Sequence, residues 1–140
     1  MGGFRRPGAV GSDCRRWAVR VRRGDVLEVL LDPVVDGEAG KRRPCVVVSS
    51  AGMNAAVTKR SRGVITFVPL TSNVDVVHPE FQVEVTERED LDQMGLRVPS
   101  KVQVEQVRAI GFSQIGRPLG ITPAWIMHQV DEALRFHLSL

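Results

Sequence analysis

Four residues of this sequence could act together on a phosphodiester: Glu38, Arg43, Thr71 and Ser72. An Arg guanidinium is a planar fork of permanent charge that matches phosphate oxygens. A hydroxyl beside it can hold a phosphorus centre passing through five-coordination. RNA brings its own nucleophile, the 2′-OH, so such a site needs neither a covalent residue nor a metal. A carboxylate can orient or accept the 2′ proton, and preorganised donors on the developing charge do much of the stabilising. The same residue types would equally make an Arg–carboxylate brace across a loop, with Thr71 ending a strand. Residue types alone leave both readings open.

Other chemistries lack their residues. There is no phosphate-binding G-x-x-x-x-G-K-[ST], no dinucleotide fingerprint and no cluster with metal-ligand spacing. His78, His128 and His137 are far apart, and the last two share no tight helical face. Ser49-Ser50 has neither a nucleophile elbow nor a nearby triad partner. Neither a metal nor another cofactor is expected.

The elements that must position the four residues can be read from pattern. Asp36-Gly37-Glu38-Ala39-Gly40 is turn chemistry, and Lys41-Arg42-Arg43 continues it as a charged loop. Cys45-Val46-Val47-Val48 follows, an apolar β-branched run that predicts a strand buried on both faces. Pro44 fits its first position. Before the loop, Val26 to Leu31 predicts a strand that Asp32-Pro33 ends; after it, Val64 to Leu70 predicts a third. If the strands over 43–50 and 64–71 pair antiparallel with Ser50 facing Val64, then Arg43 faces Thr71 at one end of the sheet. Opposed residues on neighbouring strands lie within about 5.5 Å at Cα.

Further along, Ala51 to Gly63 reads as a long connection carrying Lys59, Arg60 and Arg62. Phe81 to Val85 alternates and predicts a strand with one wet face. Glu87 to Gln93 reads as a solvated acidic loop or one short helical turn. Val102 to Val107 alternates and then slips phase, which a β-bulge near Glu105 would explain. Thr122-Pro123 supplies the N-cap and first position of a helix, with Ile121 stapling against Ile126. Ile126, Val130, Ala133, Leu134 and His137 share its face, and Asp131 and Arg135 make an i,i+4 pair. Five short strands and a terminal helix predict a small, curved, barrel-like sheet with the helix packed on it.

The totals bound the class. The chain has 140 residues, 19 basic and 16 acidic. Seven Arg and one acid fall within residues 1–23, which leaves 12 basic and 15 acidic in residues 24–140. Residues 1–22 are therefore a basic extension, expected to be flexible, and 23–140 a single domain. Cys14 and Cys45 make no disulfide framework, which fits a reducing cytoplasm. No signal-peptide core follows the N-terminal Arg residues, and no apolar run could span a bilayer.

The chain resembles the MazF/PemK family of toxin endoribonucleases. The resemblance rests on Arg23-Gly24-Asp25-Val26, on Asp32-Pro33 through Gly37-Glu38-Ala39-Gly40 to Arg43-Pro44-Cys45-Val46-Val47-Val48, and on Val68-Pro69-Leu70-Thr71-Ser72. It extends to Val104-Glu105-Gln106-Val107-Arg108-Ala109-Ile110 and Val130-Asp131-Glu132-Ala133-Leu134, covering roughly residues 22–140. It implies a mainly β fold with α, an SH3-like small barrel plus C-terminal helix, working as a homodimer. It implies sequence-selective, metal-independent cutting of single-stranded RNA, leaving a 2′,3′-cyclic phosphate and a 5′-OH. Arg43, Thr71 and Glu38 are then catalytic, and Lys41, Arg42, Ser72, Gln106, Lys59 and Arg60 hold RNA. The implied partner is an acidic, MazE-like antitoxin whose flexible tail covers the same groove. Asp36-Gly37 and Pro99-Ser100 depart from the usual family pattern, and both changes bear on base specificity. The alternative is a non-enzymatic gyrase poison of the same fold. Such proteins end in Trp-Gly-Ile, whereas this chain ends His137-Leu138-Ser139-Leu140.

Overall fold

A computed structural model describes residues 20–31 and 42–140. Glu38, Lys41, Cys14 and the basic extension up to residue 19 lie outside the described residues. The element order is β1 (Asp25–Leu30), β2 (Arg42–Val47), α1 (Ala51–Arg60), β3 (Val64–Thr71), β4 (Gln82–Val85), α2 (Arg88–Met94), β5 (Ser100–Gln103), β6 (Arg108–Gly111), β7 (Ile115–Ile121) and α3 (Ala124–Leu138). The seven strands pair antiparallel in the order β4-β5-β3-β2-β1-β7, with β6 also on β3. Among the described residues β4 and β7 do not pair, so the sheet is open rather than a closed barrel.

The centre of the sheet is dry on both sides. Successive residues of a strand face opposite ways. Val46 and Val48 pack with Val26, Val68, Leu70, Ile126 and Val130 under α3. Cys45 and Val47 pack with Leu27, Val29, Phe67, Ile65 and Val57 on the other face. The apolar run after Pro44 therefore does form a strand buried on both faces, with Pro44 third in it rather than first.

The β2–β3 register sets the site. Cys45 lies opposite Pro69, Val46 opposite Val68 and Val47 opposite Phe67. Continued two residues, that register puts Arg43 opposite Thr71, as the sequence pattern anticipates. β3 is long enough to carry two partners. Val102 lies opposite Leu70, yet Arg108 lies opposite Phe67, so six steps along one chain match three along the other. The excess is a 3₁₀ turn at Val104–Gln106, not the expected bulge. The turn lifts Gln106 out of the ladder.

Other expectations need correction. Ala51–Arg60 is a helix, capped by the Ser50 hydroxyl accepting from the Met53 N–H at 3.2 Å. Only Asn54 and Val57 of that helix are buried, too few to show as periodicity. The acidic stretch after Glu87 is two turns of helix, and Asp90, Leu91 and Met94 are buried. In α3 the N-cap is Pro123, one residue later than expected, and the buried Thr122 hydroxyl has no partner. Ile121 is exposed and staples nothing, and His137 is exposed at the end of the helix. Asp131 pairs with Arg23 at 2.7 Å, and Arg135 with Glu132 at 3.0 Å, instead of with each other.

β7 went unpredicted because Gly116, Pro118 and Gly120 break its pattern. Close backbone contact explains two glycines here. A Cβ on Gly120 would sit 2.3 Å from the Gln93 carbonyl oxygen, and one on Gly95, at φ +75°, 2.2 Å from that of Leu119. Glycine in a strand often marks such an approach. These contacts dock α2 onto β7.

Candidate active site

Arg43 and Thr71 both line each of two clefts at one rim of the sheet. The first, about 260 Å³, is completed by Asn73, Lys101, Gln103, Gln106 and Arg108 over a floor of Leu31 and Pro69. The second, about 500 Å³, adds Ser72, Glu28, Arg97 and Arg117 to apolar Leu96, Val98 and Leu119. The Thr71 hydroxyl oxygen accepts from the Asn73 N–H at 3.2 Å, which leaves its own proton free to donate. Arg43 is half-buried, and among the described residues no oxygen accepts from its guanidinium. A fixed cation with unspent donors facing a cleft is an anion site in waiting.

Charge separates the two clefts. Arg43, Lys101 and Arg108 line the first, with no carboxylate among the described lining residues. The second holds Glu28, which Arg117 approaches to 3.7 Å. Beneath Arg43, burial pushes the Cys45 thiol up from 9.0 to about 12, against a smaller pull from Arg108 and Arg43. Cys45 is therefore a protonated core residue and no nucleophile. Among the described residues no three His, Cys, Asp or Glu side chains converge as metal ligands. No helix there is long and apolar enough to cross a membrane.

Of the residues expected in the site, Arg43, Thr71, Ser72 and Gln106 come together. Glu38 and Lys41 belong to the segment 32–41, outside the described residues. Arg42 faces the other way from Arg43. A Cβ on Gly116 of β7 would lie 3.3 Å from its Nη1, so it reaches across β1 rather than into the clefts. Lys59 and Arg60 end α1, shortly before Val64 opens β3, and line neither cleft. Thr71 ends the same eight-residue strand, about 23 Å away at the usual rise per residue. Sequence reasoning missed Lys101, Arg108, Arg97 and Arg117. Arg108 stood two residues from Gln106 and could have been found; Lys101 lies just before the alternating stretch read from Val102 and carried no signal of its own.

The PemK-like, MazF-like toxin family of type II toxin–antitoxin systems matches residues 22–138. The chain belongs to that family. It is 45% identical over 120 residues to the endoribonuclease MazF9 of Mycobacterium tuberculosis (strain ATCC 25618 / H37Rv), covering 86% of this chain and 98% of that protein. It is 28% identical over 120 residues to the endoribonuclease EndoA of Bacillus subtilis (strain 168), covering 86% of this chain and 96% of that one. The fold of this PemK/MazF chain is similar to that in a MazE-MazF crystal structure from Deinococcus radiodurans, with TM-score 0.66 and 24% identity over 86% of this chain and 97% of that one. A mycobacterial endoribonuclease in complex with its cognate antitoxin gives TM-score 0.62 and 21% identity, over 86% and 96%.

Proposed function

We propose that this chain is the toxin of a toxin–antitoxin pair and a sequence-selective endoribonuclease of single-stranded RNA. The observation that carries the reading is that one guanidinium and one hydroxyl, Arg43 and Thr71, line both clefts. Curated relatives named as endoribonucleases support it.

The RNA backbone runs from one cleft to the other and places the scissile phosphate between Arg43 and Thr71. The guanidinium grips the non-bridging oxygens, and the Thr71 O–H donates to the same group. The 2′-OH loses its proton as its oxygen bonds to phosphorus, and Glu38 accepts that proton. The P–O5′ bond breaks, and the 5′ oxygen takes up a proton. The products are a 2′,3′-cyclic phosphate and a 5′-OH. Gln106 and Ser72 hold the flanking nucleotides, and Lys41 adds a cation for the RNA backbone. Single-stranded targets suit clefts that read splayed bases and reach the 2′-OH. The protein acts in the cytoplasm as a homodimer. Its antitoxin is an acidic chain whose tail orders itself over the cationic cleft. Antitoxin complexes among related folds support that partner.

The test is cleavage of purified RNA in EDTA. Wild type should cut, and a substrate with 2′-H at the scissile nucleotide should survive. Intact RNA with wild-type protein, together with DNA breaks on induction, would favour the gyrase-poison alternative.

A further inference from the structure

Lys101 is the most buried cation of the first cleft, only 8% exposed. It stands directly opposite Thr71 from β5, and Arg43 stands opposite Thr71 from β2 when the β2–β3 register is continued. Directly opposed side chains share a face, with Cβ atoms roughly 5 Å apart. The Thr71 hydroxyl is thus flanked by two cations on neighbouring strands.

We propose that Lys101 is a phosphate-holding residue of the RNA site, its ammonium contacting the phosphate at or next to the bond that is cut. The inference rests on the endoribonuclease reading and assigns a residue within it. Burying a charge is costly unless an opposite charge or several hydrogen bonds compensate. Lys101 Nζ donates to the Val76 carbonyl oxygen, which uses one of its three donors. Glu84 is its cross-strand neighbour on β4, yet no carboxylate among the described residues comes within 4.0 Å of it. The remaining donors have the cleft as their outlet, beside Arg43 and Arg108, where no carboxylate among the described lining residues competes. An anion in that cleft completes the coordination that the fold leaves open. The Val76 bond also ties the Asn73–His78 loop to β5, so an ammonium held by RNA also fixes one wall of the cleft.

The experiment is a salt titration of binding. The ligand is an oligonucleotide matching a mapped cut, made uncleavable by 2′-H at the scissile nucleotide. Wild type is compared with Lys101→Gln, Lys101→Met and Lys101→Arg. For single strands each phosphate contact contributes about 0.7 to the slope of log affinity against log salt. Gln and Met should each lower the slope by about 0.7, and Arg should keep it. Gln retains a donor for the Val76 carbonyl. If the tether alone matters, Gln will bind as wild type, Met will bind weakly, and both slopes will stay intact, which overturns the proposal. If Gln and Met variants fail to fold, reductive methylation of the wild-type protein decides. Saturating oligonucleotide should slow methylation of Lys101 at least threefold relative to Lys59, and equal rates overturn the assignment. Wild-type protein that cuts no RNA in EDTA sinks the endoribonuclease reading itself. Wild type that cuts, with Gln and Met slopes unchanged, sinks only the role of Lys101.

Discussion

The two ends of the β2–β3 pair carry equally polar residues and treat them in opposite ways. At the α1 end Ser49, Ser50 and Asn54 are tied into the fold by hydrogen bonds, although the buried Thr58 hydroxyl has no partner. The Asn54 side-chain amide donates to the Ser49 carbonyl at 2.9 Å, the Thr66 N–H donates to the Ser49 hydroxyl at 3.2 Å, and Ser50 caps the helix. At the other end, Arg43 and Lys101 line a cleft with no carboxylate partner among the described residues, and the Thr71 hydroxyl oxygen accepts from the Asn73 N–H. Buried polar groups are normally paired. A polar cluster whose members spend their hydrogen bonds on each other is architecture, and one whose members point them into a cavity is a binding site. The same two strands hold one of each.

Substitutions at the two ends should therefore separate stability from activity. Arg43→Ala should lower RNA cleavage by at least about 100-fold, the scale for removing a charge-stabilising donor. Circular dichroism should stay as in wild type. If it cuts normally, the chemistry lies elsewhere. Thr71→Val keeps the shape and removes the hydroxyl; cleavage should fall about tenfold or more, and Thr71→Ser should recover most of it. Equal rates for Val and Ser variants would remove the hydroxyl from the reaction.

Asn54→Ala tests the opposite end. It strands the Ser49 carbonyl and should cost about 1–3 kcal/mol in urea unfolding, the usual penalty for an orphaned buried polar group. Cleavage per folded molecule should not change. A large loss of activity without loss of stability would erase the contrast between the ends.

The smallest effect belongs to Cys45. Its thiol, held up at about 12, should resist iodoacetamide at pH 8 in the folded protein and react once unfolded. Folding favours the protonated thiol, so the unfolded chain is the better acid. Stability from this group is unaffected below pH 9 and declines as pH rises from 9 toward 12. Rapid labelling of Cys45 itself in native protein at pH 8, resolved from Cys14 by peptide mapping, would contradict its burial.

How much was legible follows from what each residue's neighbours demand. The apolar run after Pro44 and the β3 pattern fix a two-sided strand pair, so the meeting of Arg43 with Thr71 could be worked out in advance. β7 could not, because Gly120 is there to let the Gln93 carbonyl approach, and that demand comes from another element. The helix at Ala51–Arg60 shows no stripe, since a helix on the rim buries only one turn's worth of side chain. The phase slip near Glu105 was visible, but two structures explain such a slip and only the pairing with β3 selects the 3₁₀ turn. Lys101 was hidden because its burial comes from a distant segment: its ammonium donates to the Val76 carbonyl oxygen, a contact that no local pattern announces.

Among the described residues β7 ends the sheet, and an outer strand is an invitation to stack another chain alongside. β7 answers with Pro118 at its midpoint, where no amide hydrogen exists to bridge to a newcomer, and with Arg117 beside it as a repelling charge. The residues that obscured this strand to pattern reading thus make its border a poor seed for fibrous growth, even at high concentration.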